Sequence, residues 1–534
     1  AGLWAREVGM MAGVYLPLHP LEHQYLVTDD IPEVYERDKE LPHVMDPTGE
    51  SYLRQEGKGL VIGMYEQQCE HWGVDGTPWE FGHELLPNKL ERVSDKLDIA
   101  FKRYPILAEA GIKTIINGPF TFAGDGNPLV GRVPGLKGFW ACCAVMAGFS
   151  QGGGVGLALA EWMIEGEPSQ DIFAMDVARF GSYMTPALTR AKTRENYQRR
   201  FAIGYPNEEL PAGRPFHTTP AYPIWKEQRA VFGSMFGMEH VNYYAPERAP
   251  LWETPSFRRS NAFGPVGEEC RNVRNNVGIN ECHNFSKFLI EGPEAEVWLN
   301  RIMAARMPGE GRLTLAPMLN PAGRLVGDFT VAKIGPESFR VNASYGAQDY
   351  HMRLFLDLLP ESGVTVTNVS RDQIGFQLAG PNARKVLEKV TREDVSNEAM
   401  PFRAVQRMNV GLTDALVCRV TYTGDLGYEM YVAPLEQAAL YHALAEAGEE
   451  FGMRPFGMRA MMSLRLEKSF GSWLREYKPD YTAAETGLDR FISFKKNDFI
   501  GRDAALKEKE EGVKRKLVTF VVDADDADVV ADEP

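Results

Sequence analysis

The sequence predicts a multidomain chain of mixed α/β and α+β class, and three observations lead there. The first is an apolar run, Phe139 to Ala147, which reads as a buried strand and leads into the glycine-rich turn GFSQGGGVG at 148–156. A helical pattern follows at Leu157, Ala160, Glu161 and Ile164, with Gly166 and Pro168 as stop signals. The second is a set of hairpin-like alternations at 51–66, 315–334 and 415–434. The third is size: 534 residues, 44% of them hydrophobic, fill three or four domains at roughly 150 residues each.

The elements follow in order. HQYLVTD (23–29) alternates like a strand, and SYLRQEGKGLVIGMYE (51–66) reads as a hairpin around Gly57-Lys58-Gly59. SDKLDIAFKRYPILAEAGI (94–112) keeps helical spacing, with Ser94 as its N-cap. Three short strands with Pro/Gly turns then lead to the glycine run. From 168 to about 230 the pattern becomes charged helix-like pieces and a Pro-rich connector, GYPNEELPAGRPFHTTPAYP. The basic run Arg190 to Arg200 reads as a solvated helix face. Beyond 230 comes FSKFLIEGPEAEVWLNRIMA, a strand, a turn and a helix with Pro293 at its start. Two hairpins and helical segments at 435–452 and 457–469 follow, and KLVTFVVD (516–523) begins a further β element.

Composition excludes several classes. A net charge of −15 argues against a nucleic-acid binder, because a phosphate backbone requires a basic face. No apolar run reaches the ~20 residues of a membrane span, so no membrane partner is expected. The six cysteines have no CxxC and no framework spacing, which reads as reduced thiols. Cys282-His283 lacks a partner motif, and adjacent side chains point apart, so no metal site is expected. Both ends look cut: AGLWAREVG already reads as domain interior, and LVTFVVDADDADVVADEP stops in an acidic loop.

A few residues carry chemical promise. Five glycines in nine residues before a helix let backbone N–H groups and the positive helix end approach a flat or anionic ligand, although tight packing explains a single such turn equally well. Asp328 sits in an apolar β run, GRLVGDFTV, either bound to something or on an edge strand facing water. Glu429, seven residues after Tyr422, suits an aminopyrimidine edge or a pairing with Arg419. Arg465 and Glu467 are two apart on a helix and face different ways. His23 and Tyr52 lie on strands, where each also fits a structural role. Arg54 shares the Tyr52 side of its strand, and a Tyr–Arg pair can hold a small carboxylate.

These motifs together resemble the dimethylglycine dehydrogenase, sarcosine dehydrogenase and dimethylglycine oxidase family. The resemblance runs essentially end to end, through HQYLVTD, YLRQEGKGLVIGMYE, NGPFTFAGDGNPLVG, the glycine run, MLNPAGRLVGDFTV, YTGDLGYEMY and SLRLEKSFGSW. It implies part of an amine-oxidase-type FAD domain (1–168), a connector (169–230), a T-protein-like folate-binding aminomethyltransferase domain (231–510) and the start of a C-terminal barrel (511–534). It also implies oxidation of a small N-methylated amino acid, an acceptor that is oxygen or an electron-transfer flavoprotein, and capture of the one-carbon unit by tetrahydrofolate. His23 and Tyr52 then become substrate-pocket residues, with Arg54 on substrate. Pro128, Gly148, Phe149, Ser150, Gln151, Gly152 and Gly153 face FAD. Asp328 is the key carboxylate of the folate module, and Tyr422, Glu429 and Arg465 contact tetrahydrofolate. The family's nucleotide-binding unit, with its GxGxxG fingerprint, belongs upstream of this sequence. The expected compartment is cytoplasmic, or the mitochondrial matrix in a eukaryote. The rival reading is a folate-dependent aminomethyltransferase with a vestigial flavin region.

Overall fold

Strand alternation in the first part of the chain produces one antiparallel sheet. Its strands are β1 (Leu18–Thr28), β2 (Val44–Asp46), β3 (Ser51–Glu56), β4 (Gly59–Met64) and β5 (Ile112–Ala123), in the order β2-β3-β4-β1-β5. The structure, a computed structural model, describes residues 2–524. It divides into two units, Ala1–Gly204 with Leu210–Arg214, and Tyr205–Glu209 with Pro215–Pro534.

In the first unit, one face of the sheet carries Leu26, Leu53, Leu60 and Ile62, which pack on Ile31, Ala100 and Leu107. Each such buried side chain contributes roughly 1.5–3 kcal/mol. The intervening residues, His23 on β1 and Tyr52 on β3, fall on the opposite face, because successive strand side chains point to opposite sides. A smaller pair, β6 (Leu129–Arg132) and β7 (Trp140–Cys143), precedes the helix Gly148–Glu165.

The second unit is built of two facing sheets. Its strands begin with the hairpin β8 (Ala230–Met235) and β9 (Met238–Tyr244), then β10 (Val277–Glu281) and β11 (Phe285–Glu291). Next come β12 (Arg312–Leu319), β13 (Leu325–Gly335), β14 (Ser338–Ser344), β15 (Thr365–Asn368) and β16 (Ile374–Ala379). The last are β17 (Val405–Val410), β18 (Thr413–Cys418), β19 (Gly427–Val432) and β20 (Met453–Pro455). One sheet runs β17-β18-β19-β16-β10-β20 and the other β12-β13-β14-β11-β15. Phe376, Val417, Met430 and Val432 of the first pack on the helices Ala383–Val390 and Gln437–Gly448. Phe288, Phe329, Val331, Phe339 and Val341 of the second pack on Ala295–Ile302 and on Phe355 of Gln348–Asp357. Between the sheets lie Leu313, Ala332, Val405, Leu416, Cys418 and Tyr431. Alternation therefore sends Asp328, Arg340 and Glu429 into the layer between the sheets.

Several sequence expectations are corrected. The glycine run is not a turn before a helix: Gly148 to Gly156 are the first residues of the helix Gly148–Glu165. None of its glycines has positive φ, whereas Gly166 does (91°) and ends the helix as expected. The strand before it is short, Trp140–Cys143 rather than Phe139 to Ala147. Ser94 is not an N-cap; it lies inside the helix Ser94–Arg103, and its hydroxyl donates back to the Glu91 carbonyl. That helix ends before Pro105, which has no N–H to continue it, and Ile106–Glu109 is separate. Pro293 precedes the N-cap Glu294 instead of opening the helix. KLVTFVVD forms no strand: its backbone makes a single contact, Leu517 N–H to the Glu485 carbonyl at 2.8 Å, with no ladder among the described residues, and Phe520 and Val521 are 80% and 99% exposed. The helix Pro186–Gln198 is not simply solvated, because Thr189, Thr193 and Tyr197 are fully buried.

Candidate functional site

In the first unit, His23 is the centre of an aromatic box. Its Nε2 lies 3.1 Å from the Tyr52 hydroxyl and its Nδ1 2.8 Å from that of Tyr197. Tyr65 and Phe120 close the box, with ring centroids 4.8 and 5.5 Å from the imidazole. Backbone choices make the geometry possible. Tyr52 pairs with Gly63, and a Cβ there would fall inside the tyrosine ring. Gly118, opposite His23 on β5, leaves open space beside the imidazole. Burial holds the imidazole down at about 4, so it is neutral at physiological pH. One nitrogen then donates to one phenol and the other accepts from its partner. Burial likewise raises the phenols of Tyr52, Tyr65 and Tyr197, so these hydroxyls stay protonated.

Tyr197 and Tyr65 were not singled out in the sequence. The i, i+4, i+8 spacing of Thr189, Thr193 and Tyr197 is the signal that marks one buried helix face. Arg54 is exposed and turned to Glu56 and the Gln55 carbonyl, with its charge felt at Tyr52.

Met146, just before the helix Gly148–Glu165, packs against this box. The helix start itself is open. Added Cβ atoms at Gly148, Gly152 and Gly153 would meet nothing within 4 Å, Phe149 is fully exposed, and the buried Gln151 Oε1 has no partner. Ser150 donates its hydroxyl to the Ala147 carbonyl. Pro128 is buried, and its carbonyl accepts from Arg179 at 2.8 Å.

In the second unit, Asp328 lies on β13, flanked by β12 and β14, so it is not an edge-strand acid. Burial, reinforced by the negative Glu476, pushes its carboxyl up to about 8. Tyr422 feels both charges and donates its hydroxyl to the Gly471 carbonyl at 2.8 Å. Arg465, 1% exposed, donates to the Phe470 carbonyl at 2.9 Å and pairs with Glu476 at 2.7 Å. Glu467 points elsewhere, to Arg274.

Glu429 does not pair with Arg419, which binds Asn397 and the Met400 carbonyl instead. Its Oε2 accepts from the Tyr431 hydroxyl at 2.7 Å, which in turn accepts from Asn342 at 3.0 Å. Glu429, Arg340, Asn342, Thr330 and Val420 line one small cavity between the sheets. Thr330 is two residues from Asp328, and Val420 two from Tyr422, so the cavity runs toward that acid. Arg340, Asn342 and Tyr431 were missed because nothing local distinguishes a strand residue facing a second sheet from one facing water.

Three family models match consecutive segments. They are FAD dependent oxidoreductase over residues 1–162, FAD dependent oxidoreductase central domain over 165–219, and GCVT N-terminal domain over 221–496, more than half the chain. Dimethylglycine dehydrogenase, mitochondrial, of Mus musculus is 37% identical across 100% of this chain and 62% of its own length. Sarcosine dehydrogenase, mitochondrial, of Homo sapiens is 29% identical across 98% of this chain and 61% of its own.

The chain belongs to the dimethylglycine and sarcosine dehydrogenase family.

It spans less than two thirds of the length of these relatives. An aminomethyltransferase of Halothermothrix orenii is 33% identical across 48% of this chain and 72% of its own length. In this family the first segments imply FAD and the GCVT segment implies tetrahydrofolate. The residues present fit both groups. The open glycine surface and the orphaned Gln151 oxygen suit a flat cofactor at a helix start. The buried Glu429 carboxylate at a cavity suits the N–H edge of a pterin.

Proposed function

We propose that this chain carries out FAD-dependent oxidative demethylation of an N-methyl amino acid of the dimethylglycine or sarcosine type, and passes the one-carbon unit to tetrahydrofolate. The observation that carries the reading is the neutral His23 held between two phenols in an aromatic box. FAD, when bound, supplies hydride acceptance. His23, with both ring nitrogens held by phenols, fixes the Tyr52 hydroxyl, which orients the amine by a hydrogen bond without adding charge. Tyr65, Tyr197 and Phe120 keep water out. An uncharged, water-poor box also disfavours the ammonium form of the amine, whose nitrogen lone pair must be free for the N-methyl carbon to lose hydride.

In the second unit, Asp328 handles the proton of the folate nitrogen that captures the one-carbon unit: held near 8, the carboxyl is close enough to its titration that its ionised fraction takes that proton, as a stronger base than an ordinary carboxylate. Tyr422, Glu429 and Arg465 are the proposed folate contacts, Arg54 the proposed contact to the substrate carboxylate, and Pro128 with the residues Gly148 to Gly153 the proposed flavin wall. The proposed organisation is a flavin region at 1–168, a connector at 169–230, a folate module at 231–510 and a last segment from 511. Oxygen or an electron-transfer flavoprotein is the proposed acceptor, and the mitochondrial matrix the proposed compartment in a eukaryote, the cytoplasm otherwise.

The test is anaerobic mixing of the FAD-loaded full chain with sarcosine or dimethylglycine. Bleaching of the flavin absorbance supports the reading. Tetrahydrofolate binding with no bleaching by any N-methyl amine sinks it in favour of an aminomethyltransferase with a vestigial flavin region.

A further inference from the structure

The buried guanidinium of Arg340 is unusual in this molecule. The residue is 1% exposed, and none of its three side-chain nitrogens has a hydrogen-bond partner among the described residues. Its carbon lies 3.3 Å from the centroid of the Tyr431 ring, so the group rests on that ring at the wall of the cavity shared with Glu429. The other buried cation nearby, Lys287, shows the contrast. Its ammonium donates to the carbonyls of His283, Phe285 and Ser370 at 3.2, 2.8 and 3.3 Å. Lys287 is consumed by the fold, and Arg340 is not. A buried guanidinium with unmet N–H donors costs several kcal/mol unless an acceptor meets it.

The second half of the pattern is Glu429. Its Oε2 already accepts from Tyr431, and Tyr431 is the ring on which Arg340 lies. One tyrosine thus fixes a carboxylate and a guanidinium at the same cavity. A ligand anion would be drawn to Arg340 but repelled by Glu429. A ligand cation would meet the reverse. The arrangement fits a neutral planar edge with N–H donors beside a carbonyl acceptor. Asn342 and Thr330 add neutral polar groups, while Leu313, Ala332, Val420 and Cys418 supply apolar walls for a flat ring.

We infer that Arg340 is a specificity-determining residue of the folate site: it donates to the ring carbonyl of the aminopyrimidinone, while Glu429 accepts from the neighbouring N–H groups. The inference rests on the folate reading above. It adds a chemical choice, because a 4-amino ring turns an N–H donor toward Arg340, donor against donor.

The experiment compares the binding of tetrahydrofolate and 4-aminotetrahydrofolate, which differ at that position and in the adjacent ring nitrogen (N–H in the 4-oxo ring, bare in the 4-amino ring), to the full chain under anaerobic conditions. Wild-type protein is expected to prefer the 4-oxo compound by about 10- to 100-fold, the value of one hydrogen bond to a charged group. Arg340→Met keeps the side-chain length, removes the donors and is expected to lower the ratio about 10-fold, leaving the share that Glu429 reads at the ring N–H. Arg340→Lys restores a donor and is expected to recover part of the preference. Equal wild-type affinity for the two compounds overturns the inference. So does an equal loss of both in Arg340→Met with the ratio preserved, which marks the residue as structural. If Arg340→Met fails to fold, the wild-type ratio and Arg340→Lys still decide. Binding of neither compound by wild-type protein sinks the folate reading itself, a result distinct from equal binding of both.

Discussion

His23 and Asp328 meet the same condition, removal from water, and respond in opposite chemical senses. Burial holds the His23 imidazole near 4 and the Asp328 carboxyl near 8, so both are uncharged at neutral pH. The imidazole is far from its own titration and has two phenol partners, which suits a fixed hydrogen-bonding post. The carboxyl is close to its titration and next to a second acid, which suits a proton carrier. The lesson is that burial selects the uncharged form, and the partners decide whether that form is locked or poised.

The largest expected effect separates the two. Asp328→Ala is expected to lower methylenetetrahydrofolate formation by roughly 10²–10⁴-fold, with flavin reduction by the amine unchanged. Single-turnover measurement of each half-reaction checks this, and loss of flavin reduction in this variant would break the division.

His23→Ala is expected to act the other way, slowing the amine half-reaction by about 10²-fold while tetrahydrofolate affinity stays as in the wild type. Stopped-flow bleaching set beside equilibrium folate binding reads both quantities. A change in folate affinity alone would remove His23 from the substrate pocket.

The smallest effect is on stability. The Asp328 carboxyl has an ordinary value of 3.8 and is held near 8 in the fold. Between those values the unfolded chain has released the proton and the fold has kept it, so stability falls as pH rises and levels off above about 8. Asp328→Asn removes this cost and is expected to melt a few degrees above the wild type at pH 8, with the difference gone near pH 4. Thermal melts across that range check it; an equal gain at both ends would assign the effect to packing.

Much of this was legible from local pattern. The hairpin at 51–66 forms with Gly57 at φ 58°, and the strands carrying His23, Asp328 and Glu429 lie where alternation put them. The stop at Gly166 holds for the same reason, since positive φ is a property of one residue. The glycine run was misread as a turn because glycine weakens a helix without forbidding it. Here neither strain nor crowding requires those glycines, and their service is the open surface they leave.

Tyr197 stands 174 residues from His23, and Arg340 meets Glu429 only because two sheets face each other. No local spacing encodes either meeting. Strand period determines which residues share a face, since it depends only on neighbours in the chain. Which face another element covers depends on long-range packing, and that alone gives His23 its second phenol, Asp328 its proton at neutral pH, and Arg340 a cavity instead of water.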